Sequence, residues 1–462
     1  MKYIKSYLIV MLLFLGITSE AQRETPPPAG KPLDFNLPAK STGTLDNGMK
    51  ANYVQYGIVP KVTVVLIIKT GNIHEGANQV WLSDLTGNLM REGTGDMDFE
   101  AISKKVAAMG GELNVGVGMS QTSVSSSVLS DFAGDLIEVM SEMVMAPSFP
   151  ESEIERLKND LKRQLAVQKA QPQTQAAEKF FQVIYPDQPY GRYFPTEEML
   201  DSYTVDMVKD FYSQNFGAKR SVLYVAGKFD EAAVSAAVKK SFSGWTPGPE
   251  VDYPEVKEQN TNNVFLIDRK GAPQTTIMMG LPVITPHDPD YVALDVTNSL
   301  LGGSFGSRIT TNIREDKGYT YSPSSSVSNR PGSSLWYERA NVTTEFTGAS
   351  LKEIFKEIKR LQDEPPSKEE MEGIQNYEAG IFVLRNSSPG GIINQLNFLD
   401  IYNLDNSFLS EHVKHIYEVT PEKISQITRD YIKYEDMTIV MVGDSEKVTK
   451  QYNEVKDYRK ME

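Results

Sequence analysis

The feature that most constrains the fold of this chain is an internal repeat. Residues 84–90 read DLTGNLM and residues 295–301 read DVTNSLL, while VAGK at 225–228 is echoed by MVGD at 441–444. Short matches that keep one order and a near-constant offset indicate a duplicated unit. The sequence therefore predicts two tandem copies of one half. A length of 462 residues agrees, because it is too great for a single core.

Strand and helix patterns are interleaved within each copy. In the first copy, the β-branched run 62–68, the alternating segment 113–129 and the apolar run 222–227 each predict one strand. Helical periodicity runs through five other segments, at 79–91, 98–109, 131–145, 151–169 and 230–241. Strands and helices do not alternate strictly, so we expect an α+β fold in which each half is a mixed, largely antiparallel sheet covered by helices.

Composition sets the expected domain boundaries. Residues 243–263 are rich in Pro and Gly and then acidic, without an apolar period, so they predict a linker. The linker separates an N-terminal half over 42–242 from a C-terminal half over 264–458. Residues 22–41 contain three consecutive prolines and predict an extended leader.

The first 21 residues predict export. Lys2 and Lys5 precede an apolar stretch over 7–17, and Ala21 supplies a small residue at the expected cleavage site, as in a signal peptide. An uncleaved anchor is the alternative. The stretch is shorter than the ~20 residues of a membrane span, and the mature chain is expected to have no such span. In a bacterium, export leads to the periplasm.

Composition also excludes several functions. The net charge of -14 argues against a nucleic-acid partner, which requires a basic surface. Cysteine is absent, which removes disulfides, thiolate metal sites and a thiol nucleophile. The four histidines are His74, His287, His412 and His415. The last two lie three residues apart in a helical pattern, where a metal site and an ordinary helix surface are both possible.

Several motifs together resemble the pitrilysin/insulinase-type zinc peptidases, and in particular the subunits of the mitochondrial processing peptidase and its two-subunit bacterial relatives. The segments that carry the resemblance occur in the family's order: GGELN at 110–114, PYGR at 189–192, LLGGSFGSR at 300–308 and IREDKGYTYS at 313–322. The resemblance implies the insulinase-like fold, with two homologous halves.

The sequence departs from the family at the catalytic motif. Peptidases of this family carry an inverted H-x-x-E-H, in which two histidines on one helix face bind zinc and the Glu activates water. That motif aligns here with Asp84, Gly87 and Asn88. The distal Glu ligand aligns with Gln164, or with Arg163 if the alignment slips by one residue. These residues are a poor zinc set, so no metal is expected in this chain.

The C-terminal half keeps a feature that the resemblance connects with catalysis. Active members use an Arg and a Tyr seven residues apart, which bind the scissile carbonyl and stabilise the oxyanion. The corresponding residues are Arg314 and Tyr321. A buried ion pair and a packed ring are the structural alternative for this pair.

The Gly-rich segment before this pair is a second candidate. By resemblance, Gly302, Gly303, Ser304 and Phe305 lie near the mouth of a chamber and contact substrate. A tight turn without a binding role is the alternative.

A lost zinc motif beside a retained Arg/Tyr pair is the family's pattern for the non-catalytic member of a heterodimer. The sequence therefore predicts a partner subunit of an exported zinc endopeptidase, inactive alone, that completes the zinc site of a homologous chain with intact H-x-x-E-H. Zinc is expected in that partner, and peptides are the expected substrate. The alternative is an inactive structural or peptide-binding scaffold on the same fold.

Overall fold

The computed structural model describes residues 37–95, 97–259 and 261–460. The expected signal peptide, 1–21, and most of the expected leader, 22–41, lie outside these residues. Strand β1 begins at Lys40, so the last two residues of the expected leader belong to the first sheet. No helix in the described ranges is long and apolar enough to cross a membrane.

The N-terminal half contains eight strands and eight helices within the described residues. The strands are β1 (Lys40–Thr44), β2 (Lys50–Gln55), β3 (Lys61–Ile68), β4 (Gly93–Thr94), β5 (Met97–Asp98), β6 (Asn114–Val117), β7 (Thr122–Leu129) and β8 (Ser221–Gly227). The helices are α1 (Leu82–Arg91), α2 (Phe99–Ala108), α3 (Ala133–Met145), α4 (Glu151–Ala170), α5 (Pro172–Ile184), α6 (Glu197–Ser202), α7 (Val205–Asn215) and α8 (Glu231–Phe242).

The C-terminal half contains five strands, and π-helical turns at Ser299–Gly303 and Thr311–Asp316 flank the Gly-rich segment. The strands are β9 (Val264–Asp268), β10 (Gln274–Val283), β11 (Ser324–Arg330), β12 (Ser333–Thr343) and β13 (Thr438–Gly443). The helices are α9 (Tyr291–Asn298), α10 (Arg308–Thr310), α11 (Thr347–Asp363), α12 (Lys368–Arg385), α13 (Pro389–Tyr402), α14 (Ser407–Ser410), α15 (His412–Glu418), α16 (Pro421–Tyr431) and α17 (Ser445–Val455).

The two sheets have the same topology, which confirms the duplication. The first sheet has the order β1-β2-β8-β3-β7-β6, and the second, read from its other end, has the order β9-β13-β10-β12-β11. In both, the first and last strands of the repeated unit (β2 and β8, β9 and β13) pair in parallel, and the other pairs are antiparallel. Only β1 has no counterpart in the second sheet. The α+β prediction is also confirmed, since helices cover both sheets.

The alternating segment 113–129 forms two strands and not the single strand expected. β6 ends at Val117 and β7 begins at Thr122, and the two strands pair in an antiparallel hairpin. Gly118 donates its backbone N–H to the carbonyl of Gln121, which closes the turn. Alternation of polar and apolar residues continues across a tight turn, so the pattern did not show where the chain reverses.

Each half covers the second face of the other half's sheet. Helix α13 packs Ile392 and Leu396 against Val222 and Tyr224 of β8. In the reciprocal contact, α5 packs Phe180 with other apolar residues against β10 and β13. Both sheets are therefore buried between helices of their own half and a helix of the other half. Burial of apolar surface on both faces accounts for strands such as β8 and β13, in which every residue is buried.

The expected linker, 243–263, has no helix or strand in its described part, but it is packed along its length. Trp245 is buried in the N-terminal core. The Nε–H of Arg220 donates to the carbonyl of Glu250 at 3.1 Å. Gln188 bonds Lys257 through both its amide nitrogen and its amide oxygen. These contacts hold the connection against the surface of the first half.

The start of α13 offers a matched test of how closely this helix packs against the end of α12. A Cβ atom at Gly391 would lie 1.7 Å from the backbone oxygen of Arg385, whereas one at Gly390 would have nothing within 4 Å. Gly391→Ala must therefore displace the first turn of α13, and we expect a loss of about 1–3 kcal/mol in the free energy of unfolding. Gly390→Ala is expected to be neutral or stabilising by up to about 1 kcal/mol. Urea unfolding of both variants measures the difference, and equal stabilities would contradict the packing.

Candidate functional site

The residues that replace the zinc motif lie on one helix, as predicted. Asp84, Gly87 and Asn88 all belong to α1. Asp84 and Asn88 are half-buried and Gly87 is buried. The helix lies between the core of the N-terminal half and strand β6, at the edge of the sheet.

Gly87 is held against β6. A Cβ atom at this position would lie 2.6 Å from Cγ2 of Val117 and 3.5 Å from Cγ1 of Val115. A larger residue, such as the Glu of the family motif, would have to displace the Val117 side chain. Glycine at 87 thus removes the general base and also lets the helix and the edge strand approach closely.

A buried acidic pair, Glu75 and Asp84, lies beside the positions that align with the zinc motif. Asn72 donates its side-chain amide to Asp84 at 2.6 Å and to Glu75 at 3.1 Å. The Glu75 carboxyl also accepts the backbone N–H groups of Trp81 and Ser83, at the start of α1. Burial raises the pKa of Glu75 to about 8, with a further contribution from the charge of Asp84. Burial likewise raises the pKa of Asp84 to about 6.

The expected distal position does not complete a site. Gln164 lies on α4 and is exposed, and the structure gives its side chain no hydrogen bond within the described ranges. Arg163, the alternative in the alignment, is also exposed and pairs with Asp160 of its own helix. The structure therefore brings Asp84, Gly87 and Asn88 together on α1, with a solvent-facing amide on α4.

This donor set does not fit zinc. Zinc sites in proteins use imidazole, thiolate and carboxylate ligands. Asp84 is the one carboxylate among the four aligned positions, and its Oδ2 already accepts the Asn72 amide. In the described ranges, no group of three His, Cys, Asp or Glu side chains is arranged to hold a metal ion.

Arg314 and Tyr321 do lie together, and Phe305 completes the arrangement. The guanidinium carbon of Arg314 lies 4.4 Å from the centroid of the Phe305 ring and 4.9 Å from that of Tyr321. Its Nε also pairs with Glu315 at 3.1 Å. The Tyr321 ring is 79% exposed and the Phe305 ring 66% exposed. We call Phe305, Arg314 and Tyr321 the arginine cluster.

The arginine cluster differs from the structural alternative stated above. A packed tyrosine would be buried, and the ion pair would lie inside the core. Here the Arg314 guanidinium lies within cation–π distance of two exposed rings. Exposed aromatic side chains that lie next to each other form an apolar patch, and such patches are typical of binding surfaces. The cluster presents a guanidinium and a phenol hydroxyl to the surroundings of the C-terminal half.

The other residues of the Gly-rich segment differ in burial. Gly302 is buried, and a Cβ there would lie 2.7 Å from Oγ of Ser325. Ser304 is also buried, and its carbonyl accepts the Thr310 hydroxyl at 3.4 Å. Gly303 and Phe305 are exposed. Among the four predicted substrate-binding residues, Phe305 is the side chain that reaches the arginine cluster.

The histidines at 412 and 415 face different surroundings. His412 packs against Phe382, with ring centroids 4.4 Å apart. His415 pairs at 3.4 Å with Glu411, the residue directly before the same helix. The structure does not join the two imidazoles at one site.

Sequence reasoning missed Asn72, Glu75 and the role of Phe305. Asn72 begins a short 3₁₀ turn before α1 and Glu75 directly follows that turn, in a region without a periodic pattern. An acidic residue shortly before a helix start would have been the available signal, since carboxylates favour helix N-termini.

Comparisons with known proteins agree with the fold. The protein-family model described as "Insulinase (Peptidase family M16)" matches residues 56–194, and the model described as "Peptidase M16 inactive domain" matches residues 202–377. The Bacillus subtilis "Uncharacterized zinc protease YmxG" is 23% identical over 412 residues, covering 87% of this chain and 98% of the relative. The Helicobacter pylori "Non-peptidase homolog YmxG" is 20% identical over 401 residues, covering 86% and 92%.

Solved structures show the same architecture. A peptidase M16 inactive domain from Pseudomonas fluorescens superposes with a TM-score of 0.81 at 22% identity, covering 88% of this chain and 98% of that structure. A protease from Helicobacter pylori superposes with a TM-score of 0.82 at 18% identity, covering 88% and 100%. At these identities the likeness establishes the fold, and the two-half arrangement expected from the sequence is confirmed.

The acidic pair makes a pH-dependent prediction for Asp84→Asn. The folded-state pKa of Asp84 is about 6, and the unfolded value is near ~3.9. Between these values the folded state holds a proton that the unfolded state has released, so wild-type stability falls as the pH rises. The variant remains neutral and keeps an oxygen for the Asn72 amide.

The advantage of Asp84→Asn over the wild type should therefore grow between pH ~4 and pH ~6, to on the order of 3 kcal/mol. Urea unfolding at four pH values measures it. Asp210→Asn, at an exposed position on α7, serves as the control. An advantage that is constant between pH ~4 and pH ~7 would show that Asp84 is not held neutral by burial.

Proposed function

The chain belongs to the insulinase family, peptidase family M16, and from this premise we propose that it is the non-metal-binding subunit of an exported, two-chain zinc endopeptidase. The observation that carries the proposal is an asymmetry between its halves. In the N-terminal half, the positions that align with the zinc motif carry no histidine and only one carboxylate, while the C-terminal half presents the arginine cluster. A chain of this kind supplies part of an active site and depends on a homologous chain for the rest.

In this proposal the zinc ion and the general base belong to the partner, a homologous chain with intact H-x-x-E-H. The Arg314 guanidinium binds the carbonyl oxygen of the scissile peptide bond, and the Tyr321 hydroxyl donates a hydrogen bond to the oxyanion that develops on it. Donors aimed at a developing negative charge contribute about 3 kcal/mol each to transition-state stabilisation. Phe305 offers an apolar contact for a substrate side chain at the same place.

The geometry of the arginine cluster supports this role. Glu315 and the two rings hold Arg314, whose side chain remains 24% exposed. A guanidinium already fixed in position loses little conformational entropy when it binds a substrate oxygen. The Tyr321 ring is largely exposed and forms little of the core. Its position is therefore explained better by a contact outside this chain than by packing within it.

Export is the other part of the proposal. Residues 1–21 have the charge, apolar stretch and small residue of a signal peptide. A peptidase subunit exported from a bacterial cell would act in the periplasm on peptides or unfolded chains. The partner is expected to co-purify with this chain as a homologue of similar size.

We expect peptidase activity from a mixture of this chain and its partner, and little from either chain alone. In the mixture, Arg314→Ala and Tyr321→Phe should each lower kcat about 10²-fold, because each removes one group that stabilises the oxyanion. Tyr321→Phe keeps the ring that stacks on Arg314, so its effect isolates the hydroxyl. Steady-state hydrolysis of a fluorogenic peptide measures these changes.

Arg339→Ala is the matched control for this experiment. Arg339 is an exposed arginine of the same half, stacked on Tyr337 at 5.2 Å, but it lies on β12 and outside the arginine cluster. The control mixture should retain full kcat. A mixture that works equally well with Arg314→Ala and Tyr321→Phe would favour the alternative, an inactive scaffold that binds its partner without completing its active site.

A further inference from the structure

A cavity of about 440 Å³ lies between the two halves, at the turn that joins β2 to β3. The turn, residues 56–60, forms one wall, and the start of α13 forms the opposite wall. The floor is made by neighbouring residues of β3 and β7. We call this space the hairpin cavity. The side chains that shape it are those of Ile58, Val59, Lys61, Thr63, Ser127 and Pro389.

The wall formed by the turn is apolar and exposed. Ile58 is 89% exposed and Val59 is 66% exposed. Hydrogen bonds hold the turn at both ends: the Tyr56 N–H donates to the Gly227 carbonyl at 2.8 Å, and the Ser130 N–H donates to the Pro60 carbonyl at 3.1 Å. Two adjacent apolar side chains that a fixed turn keeps in water form a patch of the kind found at binding surfaces.

The opposite wall adds apolar surface and leaves the space open. Pro389 is the first residue of α13 and lies across the cavity from the turn. A Cβ atom at the next residue, Gly390, would have nothing within 4 Å. An apolar cavity of about 150 Å³ accommodates one benzene molecule, so a volume of about 440 Å³ accommodates an alkyl chain of roughly 12 to 18 carbon atoms.

The floor of the hairpin cavity is polar. Lys61 lies there and forms no ion pair with a described residue. The hydroxyls of Thr63 and Ser127 hydrogen-bond each other at 2.8 Å. Whichever hydroxyl accepts this bond keeps its own hydrogen as a donor for a further partner. An ammonium group and an O–H donor at one end of an apolar cavity suit the carboxylate or phosphate group of a ligand.

The polar end continues into a second cavity of about 540 Å³. Lys61, Thr63 and Ser127 line both cavities, whereas Glu112 lines only the second. Glu112 is exposed and does not pair with Lys61 within the described ranges. A head group bound at Lys61 therefore has room beyond the hairpin cavity, and it need not displace a carboxylate of the chain.

The size and the charge of the hairpin cavity favour a small amphiphile over a protein. Ten residues line the cavity, whereas a standard protein interface uses about 20–30 residues on each side. We propose that the hairpin cavity binds a single-chain anionic lipid, a fatty acid or a lysophospholipid. Its alkyl chain lies between the two apolar walls, and its head group contacts Lys61 and the available hydroxyl. Such a ligand contacts both halves of the chain at once.

The test uses the whole chain, without a partner, and calorimetry with straight-chain fatty acids at concentrations where they are monomeric. Affinity should rise about threefold to tenfold for every two carbons from hexanoate to dodecanoate, because each added methylene leaves water. At equal chain length, decanol and decyltrimethylammonium should bind about tenfold more weakly than decanoate. Equal affinities of decanoate and decyltrimethylammonium would overturn the proposal.

Substitutions in the hairpin cavity identify where decanoate binds. Lys61→Met removes the charge and should weaken decanoate binding about tenfold while leaving decanol binding unchanged. Val59→Ser removes part of the apolar wall and should weaken the binding of both about threefold or more.

The matched controls lie outside the cavity. Lys209→Met changes an exposed lysine of α7, and Val167→Ser changes a valine of α4 that is 63% exposed. Both controls should bind decanoate like the wild type. All four substitutions are at exposed positions, so the variants should remain folded, which thermal unfolding verifies. Unchanged decanoate binding by folded Lys61→Met and Val59→Ser variants would exclude the hairpin cavity.

Two further measurements identify the head group and test another occupant. Dodecanoate and a lysophosphatidylglycerol with the same chain distinguish a fatty acid from a lysophospholipid, and the tighter ligand identifies the head group. If a second copy of the chain covers the apolar walls instead, sedimentation should show a dimer that Val59→Ser dissociates, and the absence of decanoate binding would then refute the lipid site. None of these measurements involves Arg314 or Tyr321, so their outcome is separate from the activity of the mixture.

Discussion

The structure depends on the exchange of one helix between its two halves. Each sheet is apolar on both faces, and its own half covers only one of them. Helix α5 covers the second sheet and α13 covers the first, so the apolar surface of each half is buried by the other. Arg330, at the end of β11, strengthens the contact with α5, since its guanidinium lies 4.2 Å from the ring centroid of Phe181. The candidate sites are therefore held in a fixed relation by the core itself.

Local sequence patterns predict most helices and strands, but not which helix of one half covers the sheet of the other half. The expected helices at 98–109, 131–145 and 151–169 appear within two residues of their predicted ends. Sequence patterns do not predict α5 or α7, and they predict one continuous strand where the structure has the hairpin turn at 118–121. Which helix covers which sheet depends on contacts between residues far apart in sequence, such as Tyr224 with Ile392 and Phe180 with Met278. Periodicity in one segment carries no such information.

In the candidate site, too, sequence spacing predicts which residues share a helix, but it does not predict contacts that depend on the fold. The repeat and the family motifs placed Asp84, Gly87 and Asn88 on one helix, and a helix face follows directly from spacing. The arginine cluster requires the π-helical turn at Thr311–Asp316, whose geometry brings Arg314 between two rings. Sequence spacing suggested a pair of residues, whereas the third member, Phe305, follows from the course of the loop. Burial, which sets the pKa of Asp84, is likewise a property of the folded chain.

The two edge strands, β6 and β11, differ in the size of the side chains that they place beside the neighbouring helix. In the first half, Val115 and Val117 of β6 close on Gly87, so the space beside α1 is filled. In the second half, β11 begins with serines at 324–326, and the corresponding space beside α9 is a cavity. Duplication supplied the same helix and the same edge strand twice. Side-chain volume on the edge strand therefore determines whether the space beside the helix is filled or open.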